Sequence, residues 1–183
     1  MKYRLAALAF VSVIAASSMG QSLSEGLGFK VGALYPDSGL LRNVFGKQIL
    51  SYGLGGFKNQ EATSRLRGDF SIISASKNGS KFFLLPVTAA YVRHFREREA
   101  LEVVKFDPYV RILAGVAYYD YAIDVAPGVR KSAKTFGLTA GAELGVNVSK
   151  TVNVYARYNY FQKKDDIDFN GFTLGVAVAI KGF

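Results

Sequence analysis

The stretch Phe136-Gly137-Leu138-Thr139-Ala140-Gly141-Ala142-Glu143-Leu144-Gly145-Val146-Asn147-Val148 decides the fold. Phe136, Leu138, Ala140, Ala142, Leu144, Val146 and Val148 alternate with Gly137, Thr139, Gly141, Glu143, Gly145 and Asn147. A period of two puts these sets on opposite faces of a strand, one apolar and one rich in glycine. The segment is about as long as the nine to eleven residues that a tilted strand needs to cross a bilayer.

The same rhythm recurs on both sides. Leu27, Phe29, Val31, Ala33 and Tyr35 alternate with Gly28, Lys30, Gly32 and Leu34, and Leu50, Tyr52 and Leu54 with Ser51, Gly53 and Gly55. Leu66, Gly68, Phe70 and Ile72 oppose Arg65, Arg67, Asp69 and Ser71. Asn78-Gly79 is a tight-turn signal, and it leads into Phe83, Leu85, Val87, Ala89 and Tyr91 against Thr88, Ala90 and Val92. Pro86 fits a strand badly there. Val110, Ile112, Ala114, Val116 and Tyr118 oppose Arg111, Leu113, Gly115 and Ala117; Val154, Ala156, Tyr158 and Tyr160 oppose Tyr155, Arg157 and Asn159. Phe172, Leu174, Val176, Val178 and Ile180 oppose Gly171, Thr173, Gly175, Ala177 and Ala179. An even set of eight antiparallel strands closes without an edge, which hydrocarbon requires. The expected fold is all-β: an eight-stranded antiparallel up-and-down transmembrane β-barrel, preceded by a cleavable signal peptide.

The second face says which side looks outward. Glycine on a water-facing sheet weakens a strand with no packing return. Inside a narrow barrel it makes room for long side chains that cross the axis. The glycine face is therefore read as the lumen and the apolar face as the lipid side. Tyr35, Tyr52, Tyr91, Tyr118 and Tyr160 then fall at or near strand ends, where interfacial aromatics belong. The lumen receives Arg67, Asp69, Arg111, Glu143 and Arg157 as a polar network.

The chain opens with Met1-Lys2-Tyr3-Arg4 and an apolar run from Leu5 to Ala16, the pattern of a secretory leader and too short for a membrane helix. Cleavage is expected after Gly20 or after Ala16, which divides the chain into a signal peptide (1–20) and a barrel domain (21–183). Loss of Lys2 and Arg4 takes the formal net charge from +9 to +7. For an exported chain that basic balance suits anionic headgroups, lipopolysaccharide or phospholipid, better than nucleic acid. No Cys is present and His94 is the single histidine, so disulfides are excluded and a transition-metal site or any other cofactor is not expected.

Chemistry is sparse. His94 as a base would need a serine and a carboxylate beside it, whereas its neighbours are Arg93, Phe95 and Arg96; no enzyme is expected. The lumen charges could line a narrow pore or plug it. Buried charges must pair, which favours a plug, with a structural or surface-interaction role; a narrow porin-like channel and an exported soluble lipocalin-like barrel are the alternatives. If the turn near Ser149-Lys150 centres on Lys150, Glu143 faces Arg157; a two-residue turn would separate them. With both termini in the periplasm, the segments 36–48, 76–81, 120–134 and 161–169 are expected outside the cell.

Taken together, the leader, the eight alternating segments, Pro108-Tyr109-Val110-Arg111-Ile112-Leu113-Ala114-Gly115, Phe136-Gly137-Leu138-Thr139-Ala140-Gly141 and the final Phe183 resemble the small outer-membrane β-barrel proteins of the OmpA/OmpX type. The resemblance covers about residues 26–183. It implies a monomer in the bacterial outer membrane, in contact with its lipids and lipopolysaccharide, and inserted by the barrel assembly machinery, which reads a terminal aromatic. Here Lys181, Ala179 and Ala177 are in phase with Phe183, while Val176, Val178 and Ile180 are out of phase by one, so a bulge at Gly182 would be needed to restore the family pattern.

Overall fold

The computed structural model describes residues 27–56, 66–95, 106–149 and 151–179. Eight strands close on themselves in chain order. They are β1 (Leu27–Pro36), β2 (Ile49–Gly56), β3 (Leu66–Lys77), β4 (Ser80–His94), β5 (Asp107–Ala126), β6 (Val129–Asn147), β7 (Val152–Phe161) and β8 (Gly171–Ala179). Each pairs antiparallel with its neighbours, and β1 pairs with β8 from Gly28↔Ala179 to Pro36↔Gly171. The signal peptide and Phe183 lie outside the described residues.

The connections β1–β2, β3–β4, β5–β6 and β7–β8 gather at one end, called here the hairpin end; the other end holds the remaining connections. Asn78 and Gly79 both have positive φ, the primed turn that matches strand twist, and join Lys77 directly to Ser80. Pro86 sits within β4. The β3–β4 ladder skips between Phe70↔Val87 and Ile73↔Leu84 and then resumes in the same register, as a missing N–H would produce.

The segment 120–134 is strand on both sides of a tight turn: β5 and β6 run through it and turn only at Pro127-Gly128, where Gly128 has φ +75°. The segment persists as strand because Tyr121 and Ile123 are buried against Phe169 and the rest of the apolar core. The lumen face is not small and polar throughout. Toward the hairpin end it is filled by Leu34, Ile49, Ile73, Phe82, Leu84, Tyr119, Tyr121 and Phe161.

A short helix, α1 (Gly39–Phe45), closes this apolar plug from the β1–β2 connection. Ser38 caps it by accepting from the Leu41 amide, and Leu41 is fully buried in the plug. Leu40, Val44 and Phe45 pack against the same cluster, so one apolar stripe fixes the helix over the bore.

On the outside the alternation is kept. Phe29, Val31, Leu50, Ile112, Val116, Leu138, Leu144, Val154, Leu174 and Val178 are all exposed, at levels that no soluble sheet would tolerate on one continuous face.

Candidate functional site

Five charged side chains from five strands meet inside the barrel: Lys30 on β1, Asp69 on β3, Arg111 on β5, Glu143 on β6 and Arg157 on β7. All are at least nine-tenths buried. Arg157 bridges the two carboxylates. Its Nε donates to Glu143 Oε2 at 2.7 Å, while Nη1 and Nη2 donate to Asp69 at 3.1 and 3.2 Å. Arg111 Nη1 lies 3.2 Å from Glu143 and 3.6 Å from Asp69. Lys30 pairs with Asp69 and stands 4.0 Å from Glu143.

The register explains why they meet. β6 and β7 pair with Asn147↔Asn153 and Glu143↔Arg157, and β5 and β6 pair with Arg111↔Glu143. Three neighbouring strands thus supply three members side by side on the inward phase. Asp69 reaches the same layer from across the bore. Glycines leave the space: a Cβ at Gly55 would collide with Asp69 and Lys30, one at Gly145 would occupy the ring of Tyr109, and one at Gly175 that of Tyr155. Tyr109 donates to Glu143 at 3.0 Å, and Asn153 donates to Tyr109 at 2.7 Å. The Tyr155 ring stacks under Lys30 and Arg157 at 5.6 Å each.

Arg67 shares the inward phase of Asp69, but it is only partly buried and is not among the five residues these ion pairs join. Lys30 is the member that sequence reasoning missed. A lone lysine on the lumen phase of β1 was its signal. Toward the hairpin end the layer gives way to hydroxyls and amides, Ser51, Ser71, Asn159 and Thr173, and then to the apolar plug.

The tyrosines divide. Tyr35 and Tyr160 are each the penultimate residue of their strand at the hairpin end, and Tyr91 lies near the opposite end of β4. Tyr118 lies mid-strand against Phe136, at 5.2 Å, because β5 runs past the rim. Tyr52 is the fourth of the eight residues of β2, with Val31 and Ile72 as its lateral partners. His94 pairs with Asp107 at 2.7 Å at the end away from the hairpins. Among the described residues no cluster of three or more His, Cys, Asp or Glu is placed to hold a metal.

A closed ladder with an apolar outer belt and a filled, ion-paired interior defines an integral membrane β-barrel, since both its backbone and its faces are satisfied in hydrocarbon. The chain belongs to the family of outer membrane protein beta-barrel domains, whose model matches residues 5–179. That membership places it in the bacterial outer membrane.

Three solved structures show the same fold. Neisserial surface protein A is 16% identical, with a TM-score of 0.56 over 86% of this chain and 97% of that one. The N-terminal β-barrel domain of Pseudomonas aeruginosa OprF is 13% identical, with 0.53 over 86% and 98%. The Yersinia pestis outer membrane protein Ail in a nanodisc is 18% identical, with 0.50 over 85% and 99%. No curated protein sequence is significantly similar to this chain.

Proposed function

We propose that this is a closed, non-enzymatic barrel that anchors and displays its hairpin end at the cell surface rather than conducting solutes. One observation carries the reading: the charged layer and the apolar plug together fill the bore, and the void beside Lys30 and Arg157 measures only about 10 Å³. A space of that size holds roughly one water. A conducting path would have to break the Asp69 and Glu143 ion pairs and also displace Leu41, Leu34, Leu84 and Phe161.

The chain reaches the membrane through its leader (1–20) and is inserted as a monomer by the assembly machinery, with Phe183 as the signal. The hairpin end faces outward. Membrane lipid and lipopolysaccharide pack on the belt, with Tyr35, Tyr118 and Tyr160 toward the outer edge. His94 and Asp107 form a tie between β4 and β5, with no catalytic role. The test is conductance of the refolded barrel in planar bilayers. Silence at all voltages that the membrane survives is expected; discrete openings would overturn the closed lumen.

A further inference from the structure

The buried layer holds three cations, Lys30, Arg111 and Arg157, and two carboxylates, Asp69 and Glu143. These five therefore carry one positive charge in excess, inside a bore where an uncompensated charge is costly. The void beside the layer is lined by Lys30, Ser51, Ser71, Tyr155, Arg157, Asn159 and Thr173 around Gly53, and no carboxylate is among them. Ser51, Ser71 and Tyr155, each carrying a hydroxyl, are more than nine-tenths buried. Thr173 accepts from Asn159 Nδ2 at 2.8 Å, which leaves its own proton for the void.

We propose that the void binds one small monovalent anion, a halide. Hydroxyl donors on the lining residues and an excess positive charge would satisfy an anion, whereas a water there would leave the charge unbalanced. The small volume favours a monatomic anion over sulfate, phosphate or a carboxylate. The bound halide would act as a sixth member of the layer, holding β1, β2, β3, β7 and β8 together through Lys30, Ser51, Ser71, Tyr155 with Arg157, and Thr173.

The inference rests on the lumen being closed. An open lumen shows itself separately as conductance, whereas failure of the anion reading in a silent barrel leaves the closed lumen standing. The test is urea unfolding of the full barrel in detergent micelles, in potassium chloride or bromide against potassium gluconate at equal ionic strength. Above its dissociation constant, each tenfold rise in halide should lower the apparent unfolding constant about tenfold. The uncharged variants Ser51→Ala and Ser71→Ala, combined, should lose that dependence. Crystals grown with bromide should show an anomalous peak between Lys30, Ser51, Ser71 and Thr173. Superimposable curves in chloride and gluconate, a halide effect unchanged in the double serine variant, or a void holding water alone would each overturn the proposal.

Discussion

Glu143→Gln and Arg157→Gln test whether the layer acts as a unit. Glu143 receives Arg157 at 2.7 Å, Arg111 at 3.2 Å and Tyr109 at 3.0 Å. Its neutralisation leaves three buried cations facing Asp69 alone. Removing one partner of a buried ion pair costs about 3–5 kcal/mol, and this change falls at the upper end because it adds to the excess positive charge. Arg157→Gln loses bonds to both carboxylates but leaves two cations against two anions, so about 3 kcal/mol is expected. The double variant keeps Lys30, Arg111 and Asp69 and removes the shared pair only once. Its loss should fall short of the sum of the single losses by about 1–3 kcal/mol, the range for residues in one network. The chain has no Trp, so reversible urea unfolding is followed by far-UV circular dichroism, with the gel shift between heated and unheated samples as a second probe. Additivity within about 0.5 kcal/mol would refute the reasoning, because it would mean that the two side chains do not share their energy.

Further outcomes follow from the packing. Gly145→Ala drives a methyl into the Tyr109 ring and should cost about 1–3 kcal/mol by urea unfolding, with partial recovery when Tyr109→Leu is added. Leu84→Ala opens a cavity in the apolar plug and should cost about 2–5 kcal/mol, whereas Leu138→Ala on the exposed belt should cost far less in the same assay. Leu174→Arg puts a charge on the lipid face and should destabilise the barrel in phospholipid vesicles by about 2–4 kcal/mol if the site lies near the midplane. Since the chain has no Cys, Asp166→Cys at the fully exposed β7–β8 tip should react with a membrane-impermeant maleimide on intact cells, and Ser149→Cys should not; the reverse pattern would invert the orientation.

The strands were legible because one face of each carries a run of apolar residues at every second position. Phe136 to Val148 and Phe172 to Val178 define their phase at every residue, and the glycines opposite them told which face turns inward. Closure followed from the even count. Three things were not legible. Where both faces are apolar, as at Phe82-Phe83-Leu84-Leu85, a period of two vanishes, so the apolar lumen toward the hairpin end could not be told from the rest of the bore. The residues of α1 carry a helical cue, Ser38 before Leu40, Leu41, Val44 and Phe45, but its apolar partners, among them Ile49 and Phe82, are supplied by other strands. The charged layer depends on registers around the whole circumference, and only the β6–β7 hairpin was close enough in sequence to offer one. Lys30 meets Asp69 across 39 residues and Arg157 meets Asp69 across 88, distances over which a sequence pattern carries no register.

The seam between β1 and β8 has a consequence for how the molecule comes into being. Every other strand pairs with its immediate successor, so seven of the eight ladders form from chain already side by side. The eighth joins residues near opposite ends of the domain, from Gly28↔Ala179 to Pro36↔Gly171. Until it forms, β1 and β8 each expose a row of unpaired amides and carbonyls that lipid cannot accept. Lys30, on β1, likewise cannot take its place beside Arg157 on β7 until the circle is complete. Dehydration of the charged layer and loss of the last open edge are then one event, so a barrel halted before the seam should remain wet inside and unable to settle in the bilayer.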